Sequence, residues 1–376
     1  MQTQINIDDW DHLRQFLPDN LDDLAKASGS VRRWRNIKSG EELLRLNLAY
    51  VVEDLSLRST AGWSTQSDLA AMKDTSVLHR LRQSAPFLEQ VLTHLLNHRV
   101  QAEPAAGLPI RLKDATVITI PSSRGTDWRI HATYDPAAER LVRVEVTDSR
   151  GGERLDRDRY EPGEVVIGDR GLAKARGIHA VAAAGAYCLL RMHWQNIRLT
   201  DAAGQRLDWA EIGKRAENGD MGTIIYVPLH GKPALPARLI VRPLPPATAE
   251  KARRQLRRNA QKKGRTPSPQ ALLLAGYFWL LTTLPESLAD DAVALELYRI
   301  RWQIELFFKR GKSLLQLDHL RADDPQLVRA YLLGKLIVVA MVTLLATEGE
   351  AFSPWGTPRR RWPAPLDMAA RSTAPP

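Results

Sequence analysis

Apolar and polar positions follow different periods in different parts of this chain. Over Glu41 to Val52 the apolar residues recur every three to four positions, which predicts an amphipathic helix with Ser39-Gly40 as its start. Ser64 to Met72 and Val77 to Arg82 repeat the pattern on a shorter scale, with a break at Asp74-Thr75-Ser76. Helix, turn and a second helix with Arg80 and Arg82 exposed is the pattern of a helix-turn-helix, a pairing common to helical domains of many functions. From Pro109 the period falls to two. Pro109 to Ile120, Trp128 to Tyr134 and Leu141 to Thr147 predict strands, the last two joined by an Asp135-Pro136 turn. Val165 to Gly168 is wholly apolar, as a strand buried on both faces should be, and Asp169-Arg170-Gly171 ends it. A helix over about Leu172 to Ala184 and a buried strand over Tyr187 to Met192 complete this block.

Three antiparallel strands followed by a parallel crossover is the order of the ribonuclease-H-like fold. The next stretch, 193–283, interrupts it with strands expected at Thr223 to Pro228, Ala237 to Val241 and Ala271 to Thr282. Between the last two lies Lys251 to Arg265, with eight Lys or Arg residues and no good apolar stripe. It reads as an exposed helix facing DNA through Arg253, Arg254, Arg257 and Arg258, or else as a flexible charged loop. One long helix over Asp290 to Leu317 and a final helix over Pro325 to Ala346 follow. The expected organisation is an α/β chain. It comprises a helical DNA-binding domain (1–105), a ribonuclease-H-like catalytic domain (106–192 and 284–350), a β-rich insertion carrying the basic helix (193–283), and a disordered tail (351–376).

Composition narrows the partner. The formal net charge is +10 and the pI about 9.8, an excess that points to a polyanion, nucleic acid before anionic membrane. Val31 to Lys38 adds a basic cluster, Arg32, Arg33 and Arg35, interleaved with Trp34. The run Leu336 to Ala346 is too short to span a bilayer, and Met1-Gln2-Thr3-Gln4 resembles no signal peptide, so a cytoplasmic, nucleoid-associated protein with no membrane contact is expected. A single cysteine, Cys188, excludes an internal disulfide and a cysteine-based zinc site.

The candidate chemistry lies in three acids. Tyr298, Arg301, Glu305 and Lys312 stand at i, i+3, i+7 and i+14. On one continuous helix they would point to roughly 0°, 300°, 340° and 320°, a single face opposite an apolar stripe. The alternative is an ordinary solvated charged face. Asp114 lies mid-strand among apolar or small neighbours, where an acid is costly unless satisfied. Asp169 lies just past a buried parallel strand, where α/β sheets place ligands. With the first and fourth strands adjacent, the two aspartates would repel unless they shared divalent cations. Hard oxygen ligands without His or Cys suit Mg2+, with Mn2+ as substitute, and two such ions about 3.5–4 Å apart serve in-line displacement at a phosphodiester. The other possibility is a salt bridge for Asp114, for instance with Arg111, and a helix cap for Asp169.

At these residues the chain resembles the DDE transposases of the insertion-sequence-four family, within the ribonuclease-H-like or retroviral-integrase superfamily. Tyr298, Arg301, Glu305 and Lys312 match the signature Tyr-x2-Arg-x3-Glu-x6-Lys, Asp169-Arg170-Gly171 matches Asp-x-Gly, and Asp114 matches the acid of the first strand. The similarity runs from about residue 30 to residue 346. It implies a cut-and-paste transposase that acts on terminal inverted repeats and target DNA, with Asp114, Asp169 and Glu305 as catalytic metal ligands. Tyr298, Arg301 and Lys312 would hold phosphates. Nicking, hairpin formation and strand transfer would follow in turn. A flipped base would stack on Trp279 or on Trp302, both otherwise candidates for core packing. A homodimer is expected, because two ends are cut in concert. The proline- and arginine-rich stretch Phe352 to Pro376 departs from the family's helical C-terminal region and is compatible with a copy that binds ends without completing transposition. Two other readings use the same features: a ribonuclease-H-like nuclease limited to hydrolysis, and a decayed transposase acting as a repressor.

Overall fold

A computed structural model of the protein describes residues 10–98, 107–120, 123 and 125–351; the tail expected to be disordered lies, from Phe352 onward, outside the described residues. Along the chain run α1 (Trp10–Arg14), α2 (Leu21–Ala27), α3 (Gly40–Val52), α4 (Leu57–Gln66), α5 (Asp74–Gln83), α6 (Ala85–Asn97), β1 (Ile110–Ile118), β2 (Trp128–Asp135), β3 (Arg140–Asp148) and β4 (Val165–Gly168). Then come α7 (Ala175–Ala183), β5 (Tyr187–Arg191), α8 (Trp209–Glu217), β6 (Gly222–Leu229), β7 (Lys232–Pro243), α9 (Pro246–Gln261) and α10 (Pro269–Leu274). The last elements are β8 (Tyr277–Thr282), α11 (Asp291–Arg299), α12 (Trp302–Leu315) and α13 (Pro325–Ala351).

These elements group into two compact units. The described part of the first lies within Met1–Ala102, Ala115–Gly151 and Glu305–Arg361, and that of the second within Glu103–Asp114 and Gly152–Ile304. In the first unit the strand order is β3-β2-β1, and β2 pairs antiparallel with β3 from Trp128↔Asp148 to Asp135↔Arg140. Asp135 Oδ1 closes the hairpin by accepting from Ala137 N at 2.9 Å and Ala138 N at 3.2 Å. In the second unit the order is β1-β4-β5-β8-β7-β6, with β1, β4 and β5 parallel and the remaining pairings antiparallel. The order β3-β2-β1 followed by parallel β4 and β5 is the strand order expected of a ribonuclease-H-like fold. The strands of the expected insertion extend the same sheet through β8. Their inward residues Ile225, Leu239, Val241 and Trp279 share one core with Val166, Ile178, Cys188 and Leu190.

The first unit is built around α13, which packs on α3, α5, α6 and β3. Pro325 to Ala346 is long and apolar enough to cross a membrane by length and composition, which the run from Leu336 alone is not; 78% of its apolar window is buried inside the protein. Its start is fixed by Asp324, whose carboxylate accepts from Leu327 N at 2.9 Å and pairs with Arg82 at 2.7 Å. Arg321 holds Asp54 at 3.0 Å and donates to Leu55 O at 2.8 Å, and Arg329 pairs with Glu89. α3 starts where expected, with Ser39 Oγ accepting from Glu42 N at 3.0 Å and the Glu42 carboxylate accepting from Lys38 N at 2.6 Å.

Three expectations about elements are corrected. The helix expected to begin at Ser64 ends at Gln66, because Leu69 N and Ala70 N both donate to Ser64 O at 3.0 Å and close the helix terminus. The strand expected over Ala271 to Thr282 is two elements: Ser268 Oγ caps α10 by accepting from Ala271 N at 3.1 Å, and only Tyr277–Thr282 is extended. The single helix expected over Asp290 to Leu317 breaks after Arg299. Ile300 N and Arg301 N bond the carbonyls three residues back, Leu297 O and Tyr298 O, each at 3.1 Å, and this tighter winding re-aims the chain. Tyr298 therefore belongs to α11, whereas Glu305 and Lys312 belong to α12, and one helical wheel does not serve all four signature residues.

Two predictions follow from the packing of the first unit. Lys335 of α13 is buried, donates to Gln316 O at 2.5 Å and lies 4.4 Å from the centroid of the Tyr331 ring. Burial lowers its pKa from 10.5 to about 8. Below pH 8 the amine is charged folded and unfolded, so the burial cost is present in full; between 8 and 10.5 the unfolded chain binds more protons, and stability rises with pH. Urea unfolding should therefore show wild type gaining about 1–3 kcal/mol on Lys335→Met between pH 8 and 10; a constant difference would mean the amine is not desolvated. Gly40 offers the second case: a Cβ there would lie 2.3 Å from Leu21 O, whereas one at Gly62 meets nothing within 4 Å. Gly40→Ala should cost about 1–3 kcal/mol, and Gly62→Ala, inside α4, should be neutral or stabilising by up to about 1 kcal/mol in thermal unfolding.

Candidate nucleic-acid and metal site

Strand pairing builds the centre of the site in the second unit. β1 and β4 run parallel with Ile110 opposite Val165 and Lys113 opposite Gly168, so the next residues along each strand, Asp114 and Asp169, stand side by side. Alternation along β1 puts Asp114 on the face of Ile110 and Leu112, and Lys113 on the other. The cations of that strand have their own partners: Arg111 Nε donates to Glu164 Oε1 at 2.7 Å, and Lys113 Nζ to Asp158 Oδ2 at 2.5 Å.

Asp169 follows β4 directly and turns the chain, its carbonyl accepting from Leu172 N at 3.0 Å. The helix that follows is capped at Lys174, and its first residue is Ala175. The side chain of Asp169 is therefore not spent as the cap of α7. Its Oδ1 is buried without a hydrogen-bond partner. An acceptor left in that state costs free energy unless a cation or donor fills it. The register continues to the next strand: Gly168 pairs with Leu190, so Arg191 at the end of β5 stands next to Asp169.

Tyr298 is buried at the end of α11, its ring 5.4 Å from that of Phe278 on β8 in an edge-on contact. The Arg191 guanidinium carbon is 5.4 Å from the Phe278 ring centroid, and that of Arg301 is 5.8 Å from the Tyr298 ring centroid. The tyrosine pKa is pushed up to about 12, first by burial and then by the Asp169 charge, against the pull of Arg301 and Arg191. One cluster in the second unit thus holds Asp114, Asp169, Tyr298, Arg301 and Arg191. Arg191 was missed in the sequence; its signal was a basic residue closing an apolar strand beside the one that carries Asp169. Glu305 and Lys312, on the part of α12 that belongs to the first unit, are exposed and half-buried respectively. Among the described residues no group of three or more acids, histidines or cysteines is close enough to hold a metal unaided.

The tryptophans separate. Trp279 is 5% exposed, donates from Nε1 to Leu274 O at 3.1 Å and packs against Trp209 and Tyr277, so it is a core residue and the expected stacking role there is corrected: neither ring face is open to a base. Trp302 is 47% exposed and adjoins Arg301 in sequence.

The basic residues divide as well. Arg32, Arg33 and Arg35 are exposed in the loop before α3, and Arg80 reaches this loop, with Nη2 3.4 Å from Arg33 O. Burial, and after it the Arg35 charge, lower the Arg80 pKa. Arg82 is engaged with Asp324. On α9, Arg253 is half-buried and donates from Nε to Leu272 O at 3.1 Å. Arg254 and Arg257 share Glu250 at 3.9 and 3.4 Å, and Arg258 is exposed.

Residues 105–341 match the family described as the transposase DDE domain. The chain is 35% identical over 356 residues to InsL of insertion sequence element IS186A from Escherichia coli strain K12, with 92% of this chain and 96% of that one aligned. It is 34% identical over 357 residues to the transposase for insertion sequence element IS421 from Escherichia coli, with the same coverage. It is also 23% identical over 367 residues to the transposase for IS231F from Bacillus thuringiensis subsp. israelensis, covering 87% and 77% of the two chains. A solved piggyBac transposase complex with hairpin DNA covers 96% of this chain and 81% of its own at a TM-score of 0.47 and 11% identity, a likeness too loose to bear on the fold. With the family match spanning both aspartate-bearing strands and the signature helices, and relatives aligned over nearly their whole length, the chain belongs to the DDE transposases of insertion sequences, in the insertion-sequence-four family.

Proposed function

We propose that this transposase cuts and moves an insertion sequence by hydrolysis and transesterification at its terminal inverted repeats, with Asp114, Asp169 and Glu305 as its catalytic acids. The buried, partnerless Oδ1 of Asp169, beside Asp114 and within reach of the Tyr298, Arg301 and Arg191 cluster, carries this reading. That atom fits a divalent cation, and the all-oxygen donor set suits Mg2+, replaceable by Mn2+, in a two-ion site. When bound, such ions lower the pKa of water and neutralise charge on a reacting phosphate.

The residues of the chain do the remaining work. Asp114 and Asp169 would hold such cations, which would supply charge neutralisation at the reacting phosphate, and Glu305 enters as the third acid on the strength of the signature spacing. Tyr298, Arg301, Arg191 and Lys312 orient the phosphates on either side of the cut, where positioning alone supplies much of the rate. A water displaces the 3′-oxygen of the element's end, leaving a 3′-hydroxyl and a 5′-phosphate. That hydroxyl then attacks the opposite strand, one phosphodiester forming as another breaks, to give a hairpin that is opened before joining to target DNA. Trp302, exposed beside Arg301, is the platform for the base that this sharp turn displaces. Double-stranded DNA is gripped by Arg32, Arg33, Arg35 and Arg80 and by the outer face of α9 through Arg254, Arg257 and Arg258, with two copies synapsing two ends in the bacterial cytoplasm.

The test uses a labelled duplex bearing the terminal inverted repeat, incubated with Mg2+ or Mn2+ and resolved on a denaturing gel. Nicks and a hairpin should form with wild type and fall below detection with Asp169→Asn or Glu305→Ala. Nicks without a hairpin would favour the hydrolytic nuclease, and a gel shift without cleavage would favour the repressor. Arg191→Gln should weaken end binding by about 1–3 kcal/mol and reduce the slope of log affinity against log salt by about one, as loss of one phosphate contact does. An unchanged slope would remove Arg191 from the phosphate site.

A further inference from the structure

Arg238 lies in the middle of β7 and is 6% exposed. Its Nε lies 3.2 Å from Asp291 Oδ1, its Nη2 donates to Ala289 O at 2.5 Å, and Glu286 Oε2 is 3.9 Å from Nη1. Asp291 is the first residue of α11, and the preceding Asp290 caps that helix by accepting from Val293 N at 2.8 Å. A second part of the seat is a missing side chain: a Cβ on Gly222, the first residue of β6, would fall 2.3 Å from Asp291 Oδ2. Burial raises the Asp291 pKa and Arg238 opposes that rise, as expected for a carboxylate taken out of water against a guanidinium.

This seat is over-built for a helix start that Asp290 already caps. An ion pair between a buried guanidinium and a half-buried carboxylate gains little net stability over apolar packing, but it fixes geometry, because Arg238 cannot lose its partner without leaving a buried charge uncompensated. Tyr298 is seven residues, two helical turns, beyond Asp291 on the same helix, and at that end its ring rests on Phe278. β7 and β8 pair directly, with Arg238 opposite Thr282 and Arg242 opposite Phe278. Two neighbouring strands therefore hold α11 at both ends, one through Arg238 and one through the ring that supports Tyr298. We infer that Arg238, with Asp291 seated against Gly222, is a positioning residue of the transposition reaction: it sets the place of the Tyr298 hydroxyl at the scissile phosphates from the strands that also carry basic α9. The inference rests on the proposed role of Tyr298, and the strand-order and contact geometry locate its origin in β6 and β7, outside the signature itself.

A double-mutant cycle tests this on the full-length protein, read as the single-turnover rate of end nicking at saturating DNA and as end affinity by gel shift. Arg238→Met should lower the rate about 10- to 100-fold, the penalty of a misplaced group, with affinity unchanged within about twofold. Asp291→Asn, which keeps the shape and removes the charge, should follow it in direction. The decisive comparison is Arg238→Met in a Tyr298→Phe background, where a further loss of under about threefold shows that both act through one hydroxyl. If the two losses multiply, or if Arg238→Met lowers only the melting temperature or the affinity, Arg238 is merely structural and the inference is overturned. Arg238→Lys, which keeps the charge and the fold, should recover part of the rate. Failure of the functional reading looks different: wild type itself would then give no divalent-dependent nicking, or Tyr298→Phe alone would leave the rate unchanged.

Discussion

Everything in the candidate site depends on the parallel pairing of β1 with β4. It places Asp114 beside Asp169 on adjacent strands, two carboxylates that repel each other and that water cannot fully screen. One oxygen of the pair is left buried and without a partner. Such an arrangement suits a divalent cation, and a divalent-metal requirement is what membership of the DDE transposases implies. The sheet fixes both positions, since Asp114 lies within β1 and Asp169 directly follows the last residue of β4.

The register of β1 is guarded by its own charges. Arg111 and Lys113 point away from the site to Glu164 and Asp158, partners supplied by the connection between β3 and β4. A slip of one residue would bring Lys113 to the place of Asp114 and bury both cations away from their acids. Such pairs need not add net stability to be kept, since they penalise the alternatives. Arg238 and Asp291 obey the same logic on the far strands of the same unit, fixing the start of the helix that delivers Tyr298.

The first unit joins segments distant in sequence. α13 forms one core with the N-terminal helices α3, α5 and α6, and three ion pairs, Arg82 with Asp324, Arg321 with Asp54 and Arg329 with Glu89, stitch its approach and first turns to them. Arg82, which in sequence looked available to DNA, is used for this, whereas Arg80 reaches the basic loop before α3.

Much was legible in the sequence, for physical reasons that can be named. Apolar alternation and the turn at Asp135-Pro136 located the strands, and an acid in an apolar strand together with a spaced signature singled out Asp114, Asp169, Tyr298 and Arg301 as candidates, which lie together in the second unit. These signals are local, because burial on one face imprints a period and a buried acid is rare enough to stand out. Tertiary structure alone decided what local pattern cannot encode. The three-residue backbone bonds at Ile300 and Arg301 broke a helix that periodicity ran straight through. Sheet register brought Arg191 beside Asp169 across separate strands. The packing of Trp209 and Tyr277 around Trp279 turned an aromatic beside the signature into core. A side chain's partner depends on which segments the sheet sets side by side, and that is settled only when the whole chain has folded.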